Sequence, residues 1–431
     1  MAQSNSVFVD VADLRVGMYV YLELGWMAHP FPANSFKIGN EKQLQTIRSL
    51  GLTRVRWSAE RSDADPNAGD LSAGGVAPPE LAASAMPLPA SDDALQLTRR
   101  REQLSAQRRS FAQCEEQFSR ATAVCLQVIG CAGTQPELAR DKSQALIGDM
   151  VAQLLGQGES MIHLLSDGSG ERAALHPVNV SVISLLLGKA LALPQAQLQA
   201  LGMAALLHDL GKAQLPERVR WRDPSFSAME DKIHQEHVAL SVTAAQRLGL
   251  AAPILLGIAQ HHEMVDGSGF PLGLKGEGMT ALSRILALVN RYDNLCNPAN
   301  ASLALTPHEA LAQIFAQAKT RFDSASLNAF IRLMGIYPPG SVVQLVDDRF
   351  ALVLSVNSSR PLRPQVIVHD ASIPRDEALV LNLEEQPLLG IKRSLKPIHL
   401  PQAALNYLSP RKRVSYFFEQ VVPMSGGAVA A

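Results

Sequence analysis

AALLHDLGKAQLP, residues 204–216, decides how this chain folds. Ala204, Leu207 and Leu210 recur at a spacing of three, the period of a buried helix flank, and Gly211 leaves room beside the chain for a neighbour. An aspartate in such company, Asp209, costs free energy unless it is paired or bound to a cation. His208 stands next to it. Lys212 lies one turn beyond, which puts an ammonium on the side where the pair would hold a metal.

Working outward, histidine is scarce, 11 of 431 residues, yet His176, His208, His237, His261 and His262 fall along helical segments in the order His, His-Asp, His, His-His. His176 precedes Pro177, a favoured first helical residue, and His237 lies in a helical run over 228–248. His261 and His262 open HHEMVDGSGFP, residues 261–271, where Asp-Gly and Ser-Gly mark turns. Alone, each histidine reads as ordinary, and His163, His234, His308 and His369 are left in that class. Together with Asp209 the five supply ligands from four separate segments. Mixed imidazole and carboxylate ligands suit iron, manganese, nickel or zinc, and no thiolate joins them. Adjacent helical side chains diverge by about 100°, so His208 and Asp209 straddle two metal positions more easily than they chelate one, with Asp209 as a bridge. Two such ions would clamp and polarise a phosphodiester and activate the attacking water.

The bulk numbers exclude several alternatives. With 39 basic and 40 acidic residues the net charge is -1, so no long-range field draws nucleic acid or anionic membrane to the chain. The basic runs at 99–101 and 411–413 read as solvated faces. Four cysteines, Cys114, Cys125, Cys131 and Cys296, show no CxxC spacing, which argues against a zinc knuckle, redox pair or disulfide framework and favours a cytoplasmic location. The N-terminus has no basic-then-apolar leader and the most apolar stretch, 182–193, is interrupted by Lys189, so neither a signal peptide nor a membrane span is expected.

At 431 residues the chain is long enough for about two to four domains. Alternation over 7–20, a helix over 41–50 and a strand over 51–57 make a small α+β module, residues 1–57. Residues 58–93 are rich in Ala, Pro, Gly, Ser and Asp with almost no large apolar side chains, the composition of a flexible linker. A connecting helix follows over 94–135, then helices to about residue 335. From 336 to 431, segments at 340–346, 351–356 and 365–369 alternate or are β-branched between turn signals, as in a small β-rich domain or compact barrel.

HDLGK at 208–212 together with HHEMVDGSGFP resembles the HD-GYP domain, a branch of the HD phosphohydrolase superfamily that hydrolyses cyclic di-GMP. The match runs on through PLGLKGEGMTALSRILAL, residues 271–288, and covers roughly 140–335. The N-terminal module looks like the uncharacterised domain often found ahead of bacterial HD-GYP domains. The resemblance implies a multidomain, mainly α protein with an all-α HD-type domain over 136–335. It implies metal ligation by His176, His208, Asp209, His237, His261 and His262, with Asn290 at the position of a further aspartate ligand. Lys212 would hold the scissile phosphate and act with Asp209 in catalysis. Two divalent ions, commonly iron, or manganese, would serve cleavage to pGpG or GMP, and Asp266, Gly267, Gly269, Phe270 and Pro271 would form the substrate loop, which in some relatives contacts diguanylate cyclases.

The chain departs from that pattern in four places. Phe270 replaces the usual tyrosine, keeping the ring and losing the hydroxyl. Asn290 offers an amide oxygen where the family has a carboxylate, with Asp293 one helical turn on reading more as a structural residue than as a substitute ligand. NPANAS, residues 297–302, replaces an Arg-Pro-Tyr-basic stretch. Arg172 stands where three-metal members carry a glutamate, so two metals are expected. The leading expectation is a cyclic di-GMP phosphodiesterase. A signalling scaffold that has lost turnover, and a phosphohydrolase of another nucleotide, are the alternatives.

Overall fold

The computed structural model describes residues 6–22, 35–49, 52, 54–58, 61–62, 92–156, 158–166, 171–316, 318–357 and 360–421. Nearly all of the expected linker, 58–93, lies outside the described residues. The chain divides into two units, Met1–Leu88 and Pro89–Ala431.

In the first unit, β1 (Ser6–Asp10), β2 (Tyr19–Tyr21), β3 (Ser35–Lys37) and β4 (Arg54–Ser58) form one antiparallel sheet in the order β1-β4-β2-β3. Helix α1 (Glu41–Ser49) presents Leu44 and Ile47 to a core that includes Val11, Leu14, Val20, Leu22, Ile38 and Val55. The alternation over 7–20 thus buries one face of a short sheet, as its period of two requires.

The second unit begins with α2 (Asp92–Cys131), a 40-residue helix, which packs on α3 (Pro136–Leu154) and α4 (Arg172–Ala190). Every residue of α4 from Ala174 to Gly188 is buried, the expected state of a helix that is apolar on all sides. By length and composition α4 could cross a membrane, but 83% of its apolar window is buried inside the protein. It is the core helix, and α5 (Gln195–Leu207) and the helix Ala281–Cys296 pack against it. Pro177 does not start α4, which begins at Arg172. A proline in the second turn sacrifices one backbone hydrogen bond, a loss offset here by burial of Ala174, Leu175 and His176. The run expected over 228–248 is two helices, Ala228–Gln235 and His237–Arg247, meeting at Glu236.

The β-rich C-terminal segment is present, but its sheet reaches across the expected boundary at residue 335. Strand β5 (Glu159–Leu164), from within the helical segment, pairs with β7 (Phe350–Asn357) on one side and with the C-terminal strand β11 (Tyr416–Val421) on the other. β6 (Val342–Leu345) and β8 (Gln365–Val368) also pair with β7, and β9 (Val380–Asn382) and β10 (Ile391–Leu395) extend the sheet. The path β10-β6-β7-β5-β11 stays open among the described residues, so the compact barrel does not form. One continuous hydrophobic core joins Cys114 of α2 to Phe418 of β11.

Candidate metal centre

Four of the five site histidines have their proton placed by the backbone or a carboxylate. His208 caps the C-terminal end of α5 and its Nδ1 lies 2.7 Å from the carbonyl of Ala205. His237 Nδ1 is 2.5 Å from the carbonyl of His234, and His261 Nδ1 is 2.6 Å from that of Ile258. A carbonyl only accepts, so each Nδ1 carries the proton and each Nε2 presents its lone pair. His176 Nδ1 donates to Asp293 Oδ2 at 2.5 Å with the same result.

Those lone pairs converge on two points with Asp209 between them. Around Asp209 Oδ2 stand His176 Nε2 at 3.5 Å and His208 Nε2 at 3.3 Å, themselves 3.2 Å apart. Around Asp209 Oδ1 stand His237 Nε2 at 3.5 Å and His261 Nε2 at 3.8 Å. His261 and His262 lie 3.3 and 3.1 Å from His237 through their Nε2 atoms. Two unprotonated nitrogens at such distances repel unless a cation sits between them. Metal–ligand bonds of about 2.1 Å give ligand-to-ligand edges of about 3.0–3.4 Å in octahedral or tetrahedral sites, close to what is found. Asp209 Oδ1 is buried and accepts no hydrogen bond, a costly state that a cation would relieve. The side chains therefore fit two metal positions bridged by Asp209, and group as His176, His208, Asp209 and as Asp209, His237, His261, His262.

Electrostatics prepare these ligands. Burial would raise the Asp209 carboxyl, but His208 and Lys212 beside it override burial and hold it well below its ordinary value. Burial pushes His237 down to about 3 and His261 and His262 well below the ordinary imidazole value, so all three stay neutral and able to ligate. Lys212 Nζ lies 2.5 Å from Asp209 Oδ2.

Asn290 and Asp293 have distinct places. Asn290 Oδ1 is 3.0 Å from His176 Nε2, within the first group, and Asn294 Nδ2 holds it in place at 2.7 Å. Asp293 is fully buried behind His176, on its Nδ1 side, and accepts further bonds from Asn179 and Asn297 at 2.9 Å each. It holds the His176 ring from the side away from Asp209, a role that one sequence cannot distinguish from that of an ordinary helix residue.

The loop after His262 is held by devices of its own. At Gly269 a Cβ would lie 2.4 Å from the Met264 nitrogen and 2.5 Å from the His262 carbonyl oxygen, so only glycine lets the chain fold back here. That return stacks the Phe270 ring on His262, centroids 4.4 Å apart; the ring performs this without a hydroxyl. Glu263, fully buried, accepts from the backbone of Leu272 and Leu274 at 2.7 and 2.8 Å. Gly267 takes a φ of +82° and Asp266 caps the turn by accepting from Ser268. Asp266 and Pro271 are exposed, and of the expected loop residues Gly269 and Phe270 line the adjacent cavity.

That cavity, about 780 Å³, is bordered by His261, His262, Asn290 and Lys212. Trp221 stands in its wall with the Arg172 guanidinium 4.7 Å and the Lys212 ammonium 5.3 Å from the ring centre. Arg172 occupies the first turn of α4, where a cation opposes the helix dipole, and it donates to the carbonyl of Asn297. A third group, Cys114, His163 and Glu419, lies together where α2 meets β5 and β11, but burial pushes the Cys114 thiol up to about 12, away from the thiolate form.

Two family models match the chain. Residues 143–326 match the family model described as HD domain, and residues 6–142 match a domain of unknown function, DUF3391. A cyclic di-GMP phosphodiesterase of Pseudomonas aeruginosa, PA4108, is 27% identical over 368 residues, 84% of this chain and 84% of that one. The cyclic di-GMP phosphodiesterase response regulator RpfG of Xanthomonas campestris is 30% identical over 156 residues, 36% of this chain and 41% of its own. A 3'3'-cGAMP-specific phosphodiesterase of Vibrio cholerae is 26% identical over 172 residues, 40% of this chain and 37% of its own. Residues 143–326 are thus similar to HD domains, with motifs that resemble the HD-GYP branch, and the segment ahead of them is similar to DUF3391.

Proposed function

We propose that this protein is a metal-dependent phosphodiesterase that opens cyclic di-GMP to pGpG or GMP in bacterial signalling in the cytoplasm. The observation that supports it most is the division of six side chains into two groups that share the two oxygens of Asp209. His176, His208, Asp209 and Asn290 would hold one ion, and Asp209, His237, His261 and His262 the other, with iron or manganese suited to this ligand set. When bound, the ions would supply Lewis-acid polarisation of the phosphodiester and activation of water. Asp209 is the one carboxylate in the set, so the site keeps a net positive charge that phosphate oxygens neutralise. Lys212 and Arg172, at the cavity edge, stabilise charge that builds on those oxygens, and Phe270 shields His262 from solvent.

Asn290 favours a second reading, a signalling scaffold that binds metal and ligand, or other signalling proteins such as diguanylate cyclases, without turnover. An amide oxygen contributes a dipole where a carboxylate contributes charge, which weakens the first metal position. Turnover of cyclic di-GMP by anaerobically prepared protein, with iron and manganese each supplied, decides between them. Cleavage that Asp209→Ala abolishes, with the helical content retained, is expected of the enzyme. Stoichiometric metal without cleavage would leave the scaffold, and cleavage of 3'3'-cGAMP alone would move the activity to another dinucleotide.

A further inference from the structure

The cavity beside the metal centre carries more positive charge than one phosphate requires. Arg172, Lys212, Arg222, Arg291 and Arg321 all line it, and no aspartate or glutamate does. In a chain of net charge -1, five cations around one cavity are a local concentration that the overall composition does not explain. Arg172 and Lys212 flank Trp221 next to the ligand cluster. The other three come from separate places: Arg222 follows Trp221, Arg291 is in the helix Ala281–Cys296, and Arg321 ends a short helix, Ala318–Arg321.

Arg222 is tied to Asp231 at 3.2 Å on the exposed side. Arg291 and Arg321 are half-buried and neither makes a side-chain hydrogen bond or ion pair among the described residues. Arg291 and Arg321 have no carboxylate within ion-pair distance among the described residues, although Arg321 helps to hold the Asp266 carboxyl below its ordinary value, and a bound anion would relieve the cost of burying them together. Guanidinium is suited to such a ligand because its planar fork meets phosphate oxygens in pairs. The backbone positions the cluster too, since the Arg321 carbonyl accepts from Val265 at 3.0 Å and so ties this segment to the loop that carries Phe270. Pro298, Ala299 and Asn300 also border the cavity and bring no cation.

We propose that Arg222, Arg291 and Arg321 form a second phosphate subsite, which makes the cavity selective for a ligand carrying two phosphodiester groups, one at the metal centre and one here. This rests on the phosphodiesterase reading above and deepens it. The arginines supply from three other elements the cationic surface that NPANAS does not. A volume of about 780 Å³ lies in the range of about 300–1,000 Å³ that encloses a whole small-molecule ligand.

The test uses the full-length, metal-loaded protein with Arg291→Gln, Arg321→Gln and the double variant, measured for equilibrium binding of cyclic di-GMP and for turnover of cyclic di-GMP and of bis(p-nitrophenyl) phosphate, a diester with one phosphate. Loss of a charge-assisted contact should weaken cyclic di-GMP binding by about tenfold to a hundredfold per arginine. The effect should appear in KM more than in kcat, and the preference for the two-phosphate substrate should fall. Arg291→Lys, which keeps the charge and loses the fork, should recover part of the affinity. Metal content and thermal unfolding of each variant separate this effect from misfolding. Unchanged binding in the double variant overturns the subsite and leaves the phosphodiesterase reading standing. Tight binding without turnover in the wild type, weakened in the variants, keeps the subsite and overturns that reading; absence of binding in the wild type overturns both.

Discussion

Gly211→Ala tests whether the two ligand groups are built as described. A Cβ at this position would lie 2.4 Å from the His237 carbonyl oxygen, 2.5 Å from the Ser241 nitrogen and 2.7 Å from Leu240 Cβ. Two of these atoms are backbone in the helix His237–Arg247, so no rotamer change relieves the contact. Against an ordinary separation of 3.4 Å the shortfall is about 1 Å, and the start of that helix must retreat by a similar distance. His237 Nε2 is 3.5 Å from Asp209 Oδ1 and 3.3 Å from His261 Nε2. Metal sites tolerate errors of only about 0.2 Å in ligand distance, so this group should lose its ion, whereas His176 and His208 stand on the other oxygen of Asp209, tied to the displaced helix through the Gly211 N–H bond to Ser241 Oγ, and should keep theirs. Overpacking of this kind costs about 1–3 kcal/mol, which a core of this size survives. The expected result is a folded protein with one ion fewer per chain and turnover reduced at least about a hundredfold. Elemental analysis after reconstitution, circular dichroism and a rate measurement on one preparation suffice. Wild-type metal content and rate would refute the proposed packing of Gly211 and the grouping of ligands built on it.

Asn290→Asp should raise metal affinity at the first group and increase turnover at limiting metal; a titration showing no change would mean that the amide oxygen does not face the ion. Asp293→Asn removes the charge that fixes His176 and should lower metal affinity about tenfold to a hundredfold, measured by competition with a chromophoric chelator, with an unaltered affinity counting against the orienting role. Stripping the metal should lower the unfolding temperature, because ions that bind only the native state add to its stability by mass action, and re-addition of manganese should restore it. Equal melting curves before and after chelation would contradict metal binding at these residues.

The cluster around Asp209 was legible because five scarce histidines and one buried aspartate follow helix-compatible spacings. Their supporting groups were less so. Glu263 reads as one of two carboxylates near a turn, and its two backbone bonds appear only once the chain has folded back at Gly269. Arg222, Arg291 and Arg321 are far apart in sequence, and no local pattern brings them to one cavity. Strand β5 is short and apolar in a helical neighbourhood, so periodicity alone does not separate it from a buried helix. Its partners lie about 190 and 250 residues further along, and long-range pairing leaves no trace in a local window. Pro177 misled for a related reason: tertiary packing extended α4 by five residues ahead of it.

The hydrogen bonds behind His176 lead to the far end of the chain. Asp293 is held by Asn179 and Asn297, both of which also donate to the carbonyl of Val414, while Val414 and Tyr416 donate back to the same two side chains. On the ribosome about 120 residues separate Asn290 from Val414, which at about 5–20 residues per second is about 6–25 s of synthesis. During that interval the nascent chain already carries every side chain of the candidate site but lacks the segment whose bonds help to fix His176 through Asp293. A polypeptide released early would lack the bonds that hold Asp293 against His176, so the candidate site is complete only once Val414 and Tyr416 have been made.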